Sequence, residues 1–547
     1  MILPHPKRPA APAAVAAALL LACGAADHGD VGGTADDSTP LISALVPPAS
    51  IEVVASAARP VNLVADPETM PDEVVGYCGM CHALAHPGLL PRSVWPEKLD
   101  LMWEMLEERK QVVAPPEHRR AVAEYYQREA PAAFEPLPPD QVAAKQFVRV
   151  PLSRPISFNP RDFNSWPKIT HVNFVDLDRD RQLDVLISDA QYNVLGWLHR
   201  EGDVGTETPL AGGPPIEGFR APAHNEAFDF DGDGDLDIAV ALLGHVGPIE
   251  DLIGYVILLI NDGRQQFEAV TLLANTARVA DVQPADLDGD GDWDFAVAKF
   301  GLVETGEIVW LEQLDDGEFA EHQLSDRNGC SFVLVGDLNG DGRPDIVALL
   351  TQEYEEIVAF VNEGDGRFRR QVIFQALNPA FGASGIVLVD LDRDEDLDVV
   401  FSNGDGFDQS GLKPYHGVQW LENLGDMAFA YHHVAQLYGA YTVDAGDMDN
   451  DGDLDLVAAS CFMTKDHESF ADLPRQGLIW LENDGRQQFT RHAITDYQAH
   501  IVSADLGDMD GDGRLDIVVG GMNIFPPFPP AEMLGRVTLW LNRMSVN

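Results

Sequence analysis

Residues 78–82 read Cys-Gly-Met-Cys-His. Two thiols three positions apart can reach the two vinyl groups of one porphyrin, and the adjacent imidazole then turns onto its iron. Cys78 and Cys81 are therefore the candidate thioether residues of a single covalent haem c, and His82 is the candidate proximal ligand. A second chemistry recurs along the chain. The unit Asp-x-Asp-x-Asp-Gly-x-x-Asp throws three carboxylates to one side of a tight turn. The Gly at its sixth position lets the chain reverse, and the Asp at its ninth closes the cage. Hard oxygen ligands in that number suit calcium.

Seven copies of this unit run in register, which sets them apart from chance acidic turns. The candidate ligands are Asp176, Asp178, Asp180 and Asp184 in the first copy and Asp229, Asp231, Asp233 and Asp237 in the second. Copies three and four supply Asp286, Asp288, Asp290 and Asp294, then Asp337, Asn339, Asp341 and Asp345. Copy five supplies Asp390, Asp392, Asp394 and Asp398, and copy six Asp447, Asp449, Asp451 and Asp455. The seventh has Asp508, Asp510, Asp512 and Asp516. Up to seven calcium ions are expected, in a structural more than a regulatory role. Copies one and five carry Arg181 and Glu395 where Gly belongs, which predicts a strained turn or weaker binding there.

The elements that position these loops are strands. Each loop runs into a short apolar segment, such as Leu236 to Leu242 or Leu454 to Ser460. A second strand ending in Asn follows, as in Val418 to Asn423 and Leu478 to Asn483, and then a third that opens on Phe, as in Phe429 to Val434 and Phe489 to Ile494. The loops start at Asp176, Asp229, Asp286, Asp337, Asp390, Asp447 and Asp508, a period near 55 residues that predicts a propeller. The last copy lacks its Phe-led strand, whereas residues 146–152, Gln-Phe-Val-Arg-Val-Pro-Leu, match the pattern of residues 488–494. The upstream strand is thus expected to complete the last blade and close a ring of seven.

On these motifs residues 146–547 resemble the FG-GAP/VCBS repeat propellers, similar in architecture to the integrin alpha-subunit head. The resemblance implies a calcium-bearing, all-β seven-bladed propeller used for display and binding, and it does not imply an enzyme.

The chain has 547 residues and a formal charge of −53, which argues against nucleic acid and anionic lipid as partners. Its start reads as a signal peptide over residues 1–22, with a basic Lys7-Arg8 pair and an apolar run too short to span a membrane. Leu20-Leu21-Ala22-Cys23 resembles the lipobox of bacterial lipoproteins, which implies lipidation at Cys23 and residence in the bacterial cell envelope, on the outer membrane, in the periplasm or at the cell surface. Residues 23–65 read as a flexible linker. Cys330 and Cys461 sit in apolar strand patterns and are read as unpaired core thiols.

Residues 66–135 resemble a small class I cytochrome c, an all-α unit ahead of the propeller. Its expected helices run from about Glu97 to Arg109 and from about Glu117 to Arg128, with Tyr125 and Tyr126 packing on the haem-bearing helix. The resemblance implies a Met sixth ligand, for which Met102 is preferred over Met105; His86 and His118 are rivals that would give a bis-His iron.

Together these readings predict an exported, lipid-anchored monohaem cytochrome. It would pass single electrons to a redox partner and would carry a propeller that docks a protein or glycan. One alternative makes the propeller a dehydrogenase feeding the haem, for which the unrepeated histidines His171, His224 and His500 offer no set of residues. Another is an adhesion scaffold with a sensory haem. An electron carrier or binding protein is favoured over an enzyme.

Overall fold

Six residues after each acidic turn form a strand that water scarcely reaches. Asp184–Asp189, Asp237–Leu242, Asp294–Lys299, Asp345–Leu350, Asp398–Asn403 and Asp455–Ser460 are buried at every position, and Asp516–Gly521 at all but the last. Continuous apolar runs of this length suit a strand covered on both faces, and each lies inside a blade packed between two others. In this computed structural model the described residues are 67–80, 84–110, 112–133, 142–152, 167–201, 204–211, 218–247, 249–302, 305–315, 317–352, 354–376, 381–405, 413, 415–461, 477–495, 500–522 and 536–544. The signal peptide, the linker, Cys23, Cys81 and His82 lie outside them.

The sheets form seven antiparallel blades. In blade III, for example, the order outward is Val279–Ala285, Asp294–Lys299, Glu307–Gln313 and Phe319–Ser325. The first strand of each blade neighbours the first strand of the next, including Ile501–Gly507 of blade VII against Ile169–Val175 of blade I. The ring is therefore closed around those seven inner strands. Every inner strand carries an irregularity near its start, such as between Val279 and Asp281 or Ile501 and Ser503, which bends it at the rim.

Closure follows the expected route. Phe147–Pro151 pairs antiparallel with Val537–Asn542, and Phe147 faces Asn542 as Phe489 faces Asn483 one blade earlier. The strap extends further than its pattern implies. Val142 and Ala143 add a parallel fifth strand to blade VI, opposite His492 and Ala493, so one segment ties two blades together.

Ahead of the ring stand three helices, α1 (Asp72–Cys78), α2 (Trp95–Lys110) and α3 (Pro116–Glu129). Pro116 opens α3 at the first helical position, where its missing N–H costs nothing. Trp95 and Tyr126 stack with ring centroids 4.0 Å apart, and Tyr77 of α1 meets Trp103 of α2 edge-on. Tyr415 and Phe381 of the propeller join this apolar cluster. Among the described residues no helix is long and apolar enough to cross a membrane. Cys330 and Cys461 are unpaired and buried.

Candidate functional site

Each acidic turn is held by its own backbone. The sixth-position N–H donates to the first Asp in all seven copies, as Gly342 does to Asp337 (2.7 Å) and Gly513 to Asp508 (2.8 Å). That turn needs left-handed backbone at the fourth and sixth positions. Gly289 and Gly291 take it with φ of 87° and 98°. Arg181 and Glu395 are forced into the same region at 71° and 77°, and so are Arg179 and Arg393 at 61° and 63°. Copies one and five therefore keep the loop shape against a strain that Gly avoids.

The resulting turn gathers oxygens. Asp176, Asp178 and Asp180 each offer one within 4.8 Å of the others, and so do Asp286, Asp288 and Asp290, and Asp390, Asp392 and Asp394. In two further loops the ninth residue joins, giving Asp229, Asp231 and Asp237, and Asp447, Asp449 and Asp455. Asp176 Oδ1, Asp392 Oδ1 and Asp510 Oδ1 are buried with no hydrogen-bond donor. Oxygen-only sets with orphaned carboxylate atoms fit a hard divalent cation.

The ninth Asp has a second occupation. Asp345 accepts from the backbone N–H of Leu338 (3.0 Å) and of Asn362 (2.7 Å), and Asp398 likewise from Leu391 and Asn423. It thus fastens its loop to the third strand of the same blade. The Asn that ends that strand reaches on to the preceding blade, where Asn362 donates to Leu287 O, Asn423 to Leu338 O and Asn542 to Met448 O. Burial pushes Asp184, Asp294, Asp398 and Asp455 up to about 7, against the donors that favour the charged form. A bound cation is what would keep such crowded carboxylates ionised near neutral pH.

Arginines, absent from the loop motif, neutralise part of this charge. Arg343 pairs with Asp341 and Arg514 with Asp512, while Arg543 Nη1 lies 2.5 Å from Asp510 and 3.2 Å from Asp512. The available signal was Asp-Gly-Arg in copies four and seven, an Arg directly after the turn glycine.

Of the histidines read as structural or central-channel residues, His171 and His224 lie on inner strands and His500 directly precedes one. His171 and His224 lie on adjacent inner strands with ring centroids 4.0 Å apart, and His224 Nδ1 is 2.9 Å from Asp281. Inner-strand side chains also staple neighbouring blades: Asp281 accepts from Val333 N, Ser503 from Val172 N and Asp505 from Phe174 N.

In the helical unit Cys78 is the last residue of α1 and packs in the apolar cluster with Val74, Val75, Leu84 and Met102. Burial pushes its thiol up to about 11, a hydrogen bond from Tyr126 acting the other way. A protonated thiol in apolar surroundings is a poor metal ligand or nucleophile but suits a neutral thioether. Met102 is half-buried in the same cluster, whereas the side chain of Met105 is not described. His86 is engaged with Gly88 N, and His118 Nδ1 with Tyr77 Oη at 3.0 Å. Among the described residues Cys78 and Met102 therefore share one apolar cluster.

Residues 176–240, 229–297 and 337–401 match the FG-GAP-like repeat, each window opening on the first Asp of a loop. No curated protein matches the chain. Two solved structures of BBS1N in complex with ARL6DN, soaked with lead and with mercury, align over 74% of this chain and 99% of theirs. Their identities are 11% and 12%, with TM-scores of 0.44 and 0.43. The chain carries FG-GAP-like repeats, and its β domain is a seven-bladed propeller.

Proposed function

We propose that this chain is an exported, lipid-anchored electron carrier whose calcium-loaded propeller is a rigid platform for docking a protein or glycan partner. The observation that carries the platform is the set of preshaped loops, one per blade, in which Asp176, Asp392 and Asp510 each hold a buried carboxylate oxygen without a donor. Filling them with calcium fixes the loop-to-strand fastening in each blade, and rigidity of that kind lowers the ordering cost of binding a partner. The charge of −53 favours a basic or neutral partner.

Cys78 and Cys81 would hold haem c through thioethers, with His82 and Met102 on its iron; bound there, the haem supplies reversible one-electron transfer. Around that position Val74, Leu84 and Met102 exclude water, and Tyr126 hydrogen-bonds to Ala85 O (2.8 Å), which fixes the segment after the attachment motif. The redox partner belongs to the same envelope compartment, where Cys23 would tether the chain.

The test is a reduced-minus-oxidised visible spectrum of full-length protein made with c-type haem maturation, beside a Cys78→Ala/Cys81→Ala control. A sharp c-type alpha band that the control lacks is the expected result. Wild-type protein without covalent haem would remove the electron-carrier half of the reading and leave the propeller as the functional part.

A further inference from the structure

Three of the seven blades repeat one constellation just beyond the loop. Trp310 and Glu312, Trp420 and Glu422, and Trp480 and Glu482 stand two residues apart on the third strands of blades III, V and VI. Strand register sets His322, His432 and His492 directly across from the three tryptophans. The imidazoles stack on the indoles with centroids 4.7, 4.5 and 4.4 Å apart. So held, each Nε2 meets its Glu carboxylate at 2.6, 2.6 and 2.5 Å.

The position of the glutamates relates them to the loops. The residue after each one, Gln313, Asn423 or Asn483, donates its backbone N–H to the ninth Asp of its own loop at 2.9, 2.7 and 2.8 Å. Glu312, Glu422 and Glu482 are thereby fixed one residue from the carboxylate set. Steering one more anion toward three others is unfavourable unless a cation sits among them. Asp392 Oδ1, buried and without a donor, marks an open ligand atom in one of these three loops. Blades II, IV and VII have Ile260, Val361 and Leu541 at the Glu position, and blade I has His199.

We infer that Glu312, Glu422 and Glu482 supply a further carboxylate oxygen to the divalent cation of blades III, V and VI, with His322, His432 and His492 as positioning residues. This rests on the reading that the loops hold a divalent cation. It divides the seven into three tight sites and a weaker remainder. Blades IV and VII fall in the remainder, since Arg343, Arg514 and Arg543 already pair with their loop carboxylates.

Calcium titration calorimetry on the metal-stripped full chain tests it. Wild type should show a tight class of three sites. In the triple variant E312Q/E422Q/E482Q that class should weaken roughly 10- to 100-fold, with the total number of sites retained. The triple His→Phe variant at 322, 432 and 492 keeps the ring stacking and loses the N–H donor. It should weaken the same class while the melting temperature of the metal-free protein stays unchanged. The reverse exchange guards against a misfolded variant. Blade I already has Trp197, with Thr208 across from it. His199→Glu combined with Thr208→His should therefore tighten the blade I loop. Unchanged affinities in the Glu→Gln variant, or no tightening in blade I, would overturn the assignment while leaving the loops as cation sites. A wild type that takes up no calcium would overturn both.

Discussion

Asp345 shows why the ninth loop position is not an ordinary metal ligand. It is fully buried and accepts two backbone N–H groups, one from its own loop and one from the third strand. Asp345→Ala should leave both donors unpaired and lower stability by about 2–4 kcal/mol even without cation, measurable by denaturant unfolding in EDTA. Exposed Asp233 makes no such long-range bond, so Asp233→Asn should leave metal-free stability almost unchanged. Glu355 illustrates the opposite kind of buried acid. It accepts from Gly382 N and Ala383 N between blades IV and V, yet burial pushes it up to about 8. Because its folded pKa lies above the ordinary carboxylate value, its contribution is fully present below that value. It is lost as pH rises from about 4.5 to 8. Glu355→Gln should be less stable than wild type at pH 5 and should flatten the fall in stability up to pH 8. That slope is at most about 1.4 kcal/mol per pH unit. An unchanged slope would remove Glu355 as its source.

At the scale of elements, the strap segment carries the clearest prediction. Phe147 is buried against Trp480 and Trp540, its ring 6.3 Å from that of Trp480. Phe147→Ala should cost about 3–4 kcal/mol and loosen blades VI and VII first, visible as faster amide exchange along Val537–Asn542. This strand was legible because Gln-Phe at 146–147 repeats Gln-Phe at 488–489, and the all-buried strands were legible from their unbroken apolar runs. The inner strands were not. In Ala440–Gly446 only every third residue is buried, a spacing that matches neither strand alternation nor a buried run, because the remaining side chains face the ring interior or staple the next blade. The two-residue parallel strand at Val142 is too short for any pattern. The Glu–His pairs were present as a constant ten-residue separation in three copies, but only the hairpin register shows that the two side chains meet.

For the whole molecule, the blades share a weakness and its remedy. Every blade edge presents a knot of carboxylates on a chain already carrying a charge of −53. Self-repulsion of that size destabilises a compact state unless counter-ions are bound. A loop saturated at a hundred times its Kd contributes about 2.7 kcal/mol. Excess EDTA should therefore lower the melting temperature by roughly 10 °C or more if several loops are filled. A melting temperature indifferent to EDTA would sink the cation assignment. The inner rim adds a second charge problem. Asp444 of blade VI and Asp505 of blade VII sit half-buried side by side, and desolvation together with the neighbouring acid raises Asp444, so the pair holds a proton more readily than a free carboxylate.

The clasp that shuts the ring also sets how the molecule responds to force. Arg543 N bonds to Gln146 O at 2.9 Å, and the next pair along is Phe147 with Asn542. Gln146 and Arg543 therefore leave the closing sheet at the same end and from adjacent strands. Tension between the helical unit and the segment beyond Arg543 would load this sheet as a zipper, one rung at a time, instead of shearing all its rungs together. A partner pulling on the propeller faces, by contrast, would meet seven blades braced by their neighbours. The ring resists load on its faces and yields at its seam.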